Sequence, residues 1–258
     1  MKADRTGAVG LEQRHPAADI PLNFVLVHGA WHGGWCWGKV ADILRQKGHR
    51  VFAPSLTGLG DRAHLFGISP EIHLSTHIKD VVALVESWDL SNIVLCGHSY
   101  GGMVITGVAE QIPQRIGSIV YVDALMPQNG QSAVDIVGPP PVVLRGKHPT
   151  VPNAAAFVTD PKDQRWVQGK LTPLPPAVTT DRLVVTGAYQ RIARKTAVRA
   201  TGADGTQLGR EPVAGYFAAL AKAGEWSLHD IASEHDIMID KPAELAAIFL
   251  RSAPRGVT

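Results

Sequence analysis

Short β-favouring runs alternate along this chain with stretches of helical period. The runs are Asn23–His28, Arg50–Ala53, Asn92–Cys96, Ser118–Val122, Thr196–Ala200 and Trp226–Ile231. Phe24-Val25-Leu26-Val27 and Ile93-Val94-Leu95-Cys96 have no polar member, as expected of strands covered on both faces. Between the runs the apolar residues fall three and four apart. Trp37–Gln46 carries Val40, Ile43 and Leu44 and stops at Gly48. His73–Trp88 carries Ile78, Val81, Val82, Leu84 and Val85, and Pro242–Arg251 carries Leu245, Ile248 and Phe249. Tyr100–Gln111 and Pro212–Lys222 complete the helical set. Such alternation predicts an α/β fold, a mostly parallel sheet of about six strands flanked by helices.

The alternation breaks once. From Met126 to Thr180 the chain is rich in proline and glycine, with Gly138-Pro139-Pro140-Pro141 at its centre and the cluster Gln164-Arg165-Trp166-Val167 beyond. This reads as a lid inserted over the sheet. The expected organisation is a flexible lead-in over residues 1–20, a core over 21–125 and 181–258, and a lid over 126–180. Pro54–Pro70 reads as loop.

Composition narrows the function classes. A formal net charge of +2 gives no reason to expect nucleic acid or an anionic membrane as partner. The basic cluster Arg191, Arg194, Lys195 and Arg199 reads as solvated surface. No apolar run approaches a membrane span, and the polar start carries no signal-peptide core. Cys36 and Cys96 are too few for a disulfide framework, Cys96 reads as a small core residue, and a cytoplasmic, reducing setting is expected.

Candidate chemistry centres on Gly97-His98-Ser99-Tyr100-Gly101. It follows one predicted strand and opens one predicted helix. A serine in Gly-x-Ser-x-Gly at a sharp strand-to-helix turn is held in a strained conformation with its Oγ at the strand tip. The hydroxyl needs a base, the base an orienting acid, and the developing oxyanion preorganised donors. His235 lies four residues past the last predicted strand and is the candidate base. Two acids qualify: Asp123 at the end of the fourth strand, favoured because a strand tip is rigid, and Asp204 in the loop after the fifth. The oxyanion donors are expected to be the backbone N–H groups of Tyr100 and of Ala30, in the glycine-rich loop Gly29–Trp35. His28 is expected to help hold that loop and His98 to pack. Trp31 and Trp166 are candidate pocket walls. His73 and His77, four apart on a helix, form an incomplete metal pair, and the reading calls for neither metal nor cofactor.

Four separated motifs resemble one branch of the α/β-hydrolase superfamily, that of plant methylesterases, bacterial carboxylesterases and hydroxynitrile lyases. They are Phe24–Trp35, Leu56–Arg62, Gly97–Gly102 and His235–Met238. The resemblance spans Asn23 to Leu250. It implies Ser99 as nucleophile, His235 as base, and Ala30 and Tyr100 as oxyanion donors. It leaves the acid open: plant members resemble an assignment to Asp204, bacterial members one to Asp123. Two departures argue against lyase chemistry. Gly29 stands where the lyases carry threonine, and Asp236 stands where they carry the lysine that handles cyanide.

The expected activity is hydrolysis of a small carboxylic ester through an acyl-enzyme. A lactonase or amidase with the same triad, and a non-catalytic small-ligand receptor on the same fold, are the competing readings. Gly58-x-Gly60-x-x-Ala63 also matches a dinucleotide fingerprint, but it follows Pro54 and opens no helical pattern, as a nucleotide-binding loop should.

Overall fold

The computed structural model describes residues 20–67, 71–138, 151–202 and 211–254. Outside these lie the N-terminal lead-in up to residue 19, the centre of the proline-rich stretch, and Asp204.

Among the described residues, six strands form one parallel sheet in the order β2-β1-β3-β4-β5-β6. They are β1 (Asn23–Val27), β2 (Arg50–Phe52), β3 (Ile93–His98), β4 (Ile116–Val122), β5 (Arg194–Ala200) and β6 (Trp226–Ile231). The helices are α1 (Gly38–Gln46), α2 (Leu74–Ser87), α3 (Gly101–Gln111), α4 (Ala133–Val137), α5 (Pro161–Gln168), α6 (Ala177–Thr180), α7 (Glu211–Ala223), α8 (Ile237–Asp240) and α9 (Pro242–Ser252).

Because successive residues of a strand point to opposite faces, β1 feeds two cores. Val25 and Val27 join α2 and α3 on one face, while Phe24 and Leu26 join α1 and α9 on the other. Phe24 stacks on Phe249 of α9 with ring centroids 6.5 Å apart. Cys36 and Cys96 are both free and buried in that second core.

Local chemistry sets the element ends. Pro242 opens α9 in its first turn, where its missing N–H costs nothing. The first turn of α2 is met from a distance by Asp181, whose carboxylate accepts the Leu74 N–H at 2.8 Å. Asp160 caps α5 by accepting from Lys162 and Asp163 N–H.

Several boundaries differ from the pattern-based reading. Strand β3 continues through Gly97 and His98, so it delivers residue 99 directly. The Pro54–Pro70 loop contains a 3-10 helix at Gly60–Leu65, and α8 starts two residues after His235, with Asp236 at its N-cap. Both are short turns whose side chains lack a periodic signature. The basic cluster is tied down as well as solvated. Arg194 donates to the carbonyls of Arg251 and Ser252, and Arg199 forms a two-pronged pair with Asp230.

No described helix is long and apolar enough to cross a membrane.

Candidate active site

The strand order reverses between β1 and β3, so the loops leaving these neighbours diverge and open a crevice at their carboxyl ends. The loop Gly29–Trp35 leaves β1, and Ser99 leaves β3. The turn at Ser99 is as tight as its glycines imply. A Cβ on Gly97 would meet the Gly101 carbonyl at 2.7 Å, and one on Gly101 would sit 2.8 Å from the carbonyls of Val27 and His28. Ser99 has φ +52°. Five described non-glycine residues share that left-handed region, and three of them, Trp31, Ser99 and Asp123, stand on this rim. Neighbouring strand tips hold the turn: Ser99 N–H donates to Val122 C=O at 3.2 Å, and Leu125 N–H to Ser99 C=O at 3.0 Å.

Asp123 follows β4, buried to 1% side-chain exposure. Its Oδ2 accepts from His235 Nδ1 at 2.7 Å, and its Oδ1 accepts from Ala200 N–H at 3.2 Å. That bond fixes the neutral imidazole as the Nδ1–H tautomer, leaving Nε2 with the lone pair that can accept a proton. His235 is 23% exposed and stands beside the crevice. Among the described residues no hydrogen bond joins it to Ser99 Oγ, a contact that commonly tightens only when substrate arrives.

Ala30, Trp31, Ser99 and Tyr100 line a cavity of about 120 Å³, closed by Leu125, Leu174, Thr179 and the α4 residues Ala133, Val134 and Val137. Trp31 is therefore a wall of this cavity. Trp166 is not. It lies 39% exposed on α5, packed edge-on against Trp35 at 5.1 Å with Lys170 Nζ 5.4 Å above its ring. It is α4, early in the 126–180 stretch, that reaches the cavity, while α5 places Trp166 against Trp35, a division that composition does not encode.

Buried histidines support the rim. His28 accepts from Leu56 N–H at Nε2 (3.0 Å) and donates from Nδ1 to Gly29 C=O (2.8 Å), which ties the glycine-rich loop to the chain after β2. His77 donates to Thr57 C=O and accepts from Tyr100 OH, so both its ring nitrogens are engaged and neither serves a metal pair with His73, which faces Asp181. His98 does more than pack: its Nε2–H donates to the backbone carbonyl of His235 at 3.0 Å, and its ring lies 4.5 Å from the His235 ring. Phe157, from the inserted segment, touches Trp31, His32 and His235, and its carbonyl accepts from Asp236 N–H. His98 carries no sequence signal for this contact beyond its place in the elbow motif, and Phe157 carries none at all.

Burial holds His28 and His98 neutral, each pushed down to about 3, and lowers His77 as well. A histidine in an unfolded chain titrates near 6.5. Between about 3 and 6.5 the unfolded state thus binds more protons, and stability rises with pH across that window. The contribution is lost as pH falls below about 6.5. Urea unfolding at pH 7 and pH 5 is expected to show a loss on the order of 4 kcal/mol at the lower pH, about 2 from each of His28 and His98. An unchanged midpoint contradicts neutral burial.

The alpha/beta hydrolase family model matches residues 24–248. The chain belongs to that family. A carbendazim hydrolyzing esterase of Nocardioides sp. (strain SG-4G) is 39% identical over 244 residues, covering 87% of this chain and 96% of the relative. Methyl jasmonate esterase 1 of Vitis vinifera is 39% identical over 109 residues, 41% of this chain and 40% of the relative. An extracellular alpha/beta-hydrolase from a Paenibacillus species superposes with a TM-score of 0.76 at 24% identity, covering 91% of this chain and all of that one. This alpha/beta hydrolase is an ester-hydrolysing member of the branch that holds methylesterases and bacterial esterases.

Proposed function

We propose that this alpha/beta hydrolase is a serine esterase for small uncharged esters, with Ser99 as nucleophile, His235 as base and Asp123 as the orienting acid. The 2.7 Å bond from His235 Nδ1 to Asp123, on the rim that presents Ser99, carries the reading. Ser99 Oγ attacks the ester carbonyl and its proton passes to His235 Nε2. Asp123 stabilises the imidazolium, and the N–H groups of Ala30 and Tyr100 receive the oxyanion. Collapse expels the alcohol, which takes the proton from His235. Water, deprotonated by the same imidazole, then releases the acid and frees Ser99.

The cavity supports a small apolar substrate: its walls beyond Ser99 are Trp31, Leu125, Val134, Val137 and Leu174, with no charged side chain among the described lining. The carbendazim hydrolyzing relative suggests methyl carbamates of aromatic amines beside simple methyl esters. No cofactor, nucleic acid or membrane enters this mechanism. The free, buried thiols of Cys36 and Cys96 support a cytoplasmic setting.

Asp236 bears on lyase chemistry differently from its position in the sequence. Its carboxylate does not face the cavity but turns inward to His32 at 2.9 Å. Residue 236 therefore offers cyanide no cation, which speaks against lyase chemistry.

A panel of an aryl acetate, a methyl ester, an aryl methyl carbamate, a lactone, an amide and a cyanohydrin tests the proposal. Turnover of the esters and none of the cyanohydrin is expected. A protein that hydrolyses no ester, but binds one, is a receptor instead.

A further inference from the structure

We propose that His32 and Asp236 form a buried strut that sets the oxyanion donor of Ala30 against the imidazole of His235, making both positioning residues for ester hydrolysis. The inference rests on the esterase reading above and concerns how its two halves are held in register.

His32 Nδ1 lies 2.7 Å from the Ala30 carbonyl, and His32 Nε2 lies 2.9 Å from Asp236 Oδ2. A carbonyl has no proton to give, and neither has a carboxylate. Both ring nitrogens therefore donate, and the ring is an imidazolium paired with Asp236. The pair is fully enclosed, at 2% and 0% side-chain exposure. Burial alone opposes both charges. The facing partner outweighs it on each side, raising His32 and lowering Asp236 from their ordinary values. A pair so placed is costly to break, because each partner left behind is a buried charge.

What the strut joins matters more than its strength. Ala30 donates its N–H from the peptide whose carbonyl belongs to Gly29, and that carbonyl is pinned by His28 Nδ1–H at 2.8 Å. In a planar trans peptide the N–H points opposite to the C=O, so His28 aims the donor. The next carbonyl, of Ala30 itself, is pinned by His32, and the one after, of Trp31, accepts from Thr172 N–H at 2.8 Å. Three successive carbonyls are thus held, and the peptide around Ala30 is not free to flip.

Of the three clamps, only His32 reaches across to the base. Asp236 is bonded through the chain to His235, and the His235 carbonyl is held by His98. The ring of His32 stacks on Trp35 at 5.3 Å and lies 5.9 Å from Phe157, so it has no room to swing aside. The oxyanion loop and the base loop, 204 residues apart in sequence, share one rigid spacer. Donor and base must be placed to a fraction of an ångström when the tetrahedral intermediate forms.

The test uses the full chain with p-nitrophenyl acetate and a small alkylboronic acid, which adds to Ser99 as a tetrahedral mimic. Asp236→Ala is expected to lower kcat by about 10 to 100-fold with KM within about 3-fold, since the loss falls on the transition state. Boronate affinity falls by a similar factor. Asp236→Asn retains most of kcat, because its amide still bonds His32. His32→Phe keeps the stacking and loses the clamp, so it carries the test where Asp236→Ala does not fold. The double variant His32→Phe/Asp236→Ala is no worse than the poorer single variant. Ring-nitrogen NMR of the wild type shows two N–H protons on His32 at neutral pH.

Folded variants with wild-type kcat, a loss confined to KM, Asp236→Asn as impaired as Asp236→Ala, or a singly protonated His32 each overturn the strut while Ser99-dependent hydrolysis stands. A wild type without Ser99-dependent hydrolysis overturns the esterase reading and the strut with it.

Discussion

Ser99→Ala is expected to lower kcat for ester hydrolysis by about 10⁵ to 10⁶-fold, the scale seen when a triad nucleophile is removed. The reason is local. Without Oγ there is no acyl-enzyme, and the imidazole of His235 has only water to activate. The fold should be untouched, because alanine keeps the Cβ that the crowded turn already contains, and it keeps the strain of φ +52°. Ser99→Gly separates strain from chemistry. It is equally inactive, yet it is expected to melt higher, since a non-glycine residue in this region costs on the order of 1 kcal/mol that glycine avoids. Initial rates with an aryl acetate and thermal melts of the three proteins check both statements. Retained hydrolysis in Ser99→Ala ends the proposed mechanism.

The second large effect falls on Asp123. Asp123→Asn is expected to lower kcat by about 10⁴-fold, as happens when a triad acid becomes an amide. The amide can donate to His235 Nδ1, which moves the proton to Nε2 and leaves the ring unable to accept from Ser99. Asp123 Oδ1 also receives the Ala200 N–H, and an asparagine oxygen serves that bond as well, so the effect is on the base and not on the rim. The other candidate acid, Asp204, lies outside the described residues, and Asp204→Asn is expected to stay within about 3-fold of the wild type. The two kcat values, measured side by side, assign the acid. The reverse pattern would give the role to Asp204.

Much of this was legible in linear sequence because it depends on local rules. A both-sides-buried strand reads as an apolar run, and a glycine on each side of a serine marks a turn that tolerates no Cβ. Ser99, Tyr100, Ala30 and Trp31 all sit within one turn of such signals, and the structure gathers them around one cavity. His235 was legible because only the carboxyl ends of strands converge in a parallel sheet, and it is the histidine just past the last one. Trp166 shows the limit. An aromatic residue in an inserted segment has no periodic partner to say which side of the loop it will occupy, and it lies against Trp35 on the outside.

Sequence by itself determined the layered fold and the elbow turn that presents Ser99, since each follows from neighbours a few residues away. Tertiary structure alone decided which carboxylate meets His235, that His98 holds the base loop by its carbonyl, and that Asp236 turns from the cavity to His32. These contacts join residues more than a hundred positions apart. They depend on strand order, on the direction of a ring and on which acceptor a buried proton finds, and no spacing along the chain records those.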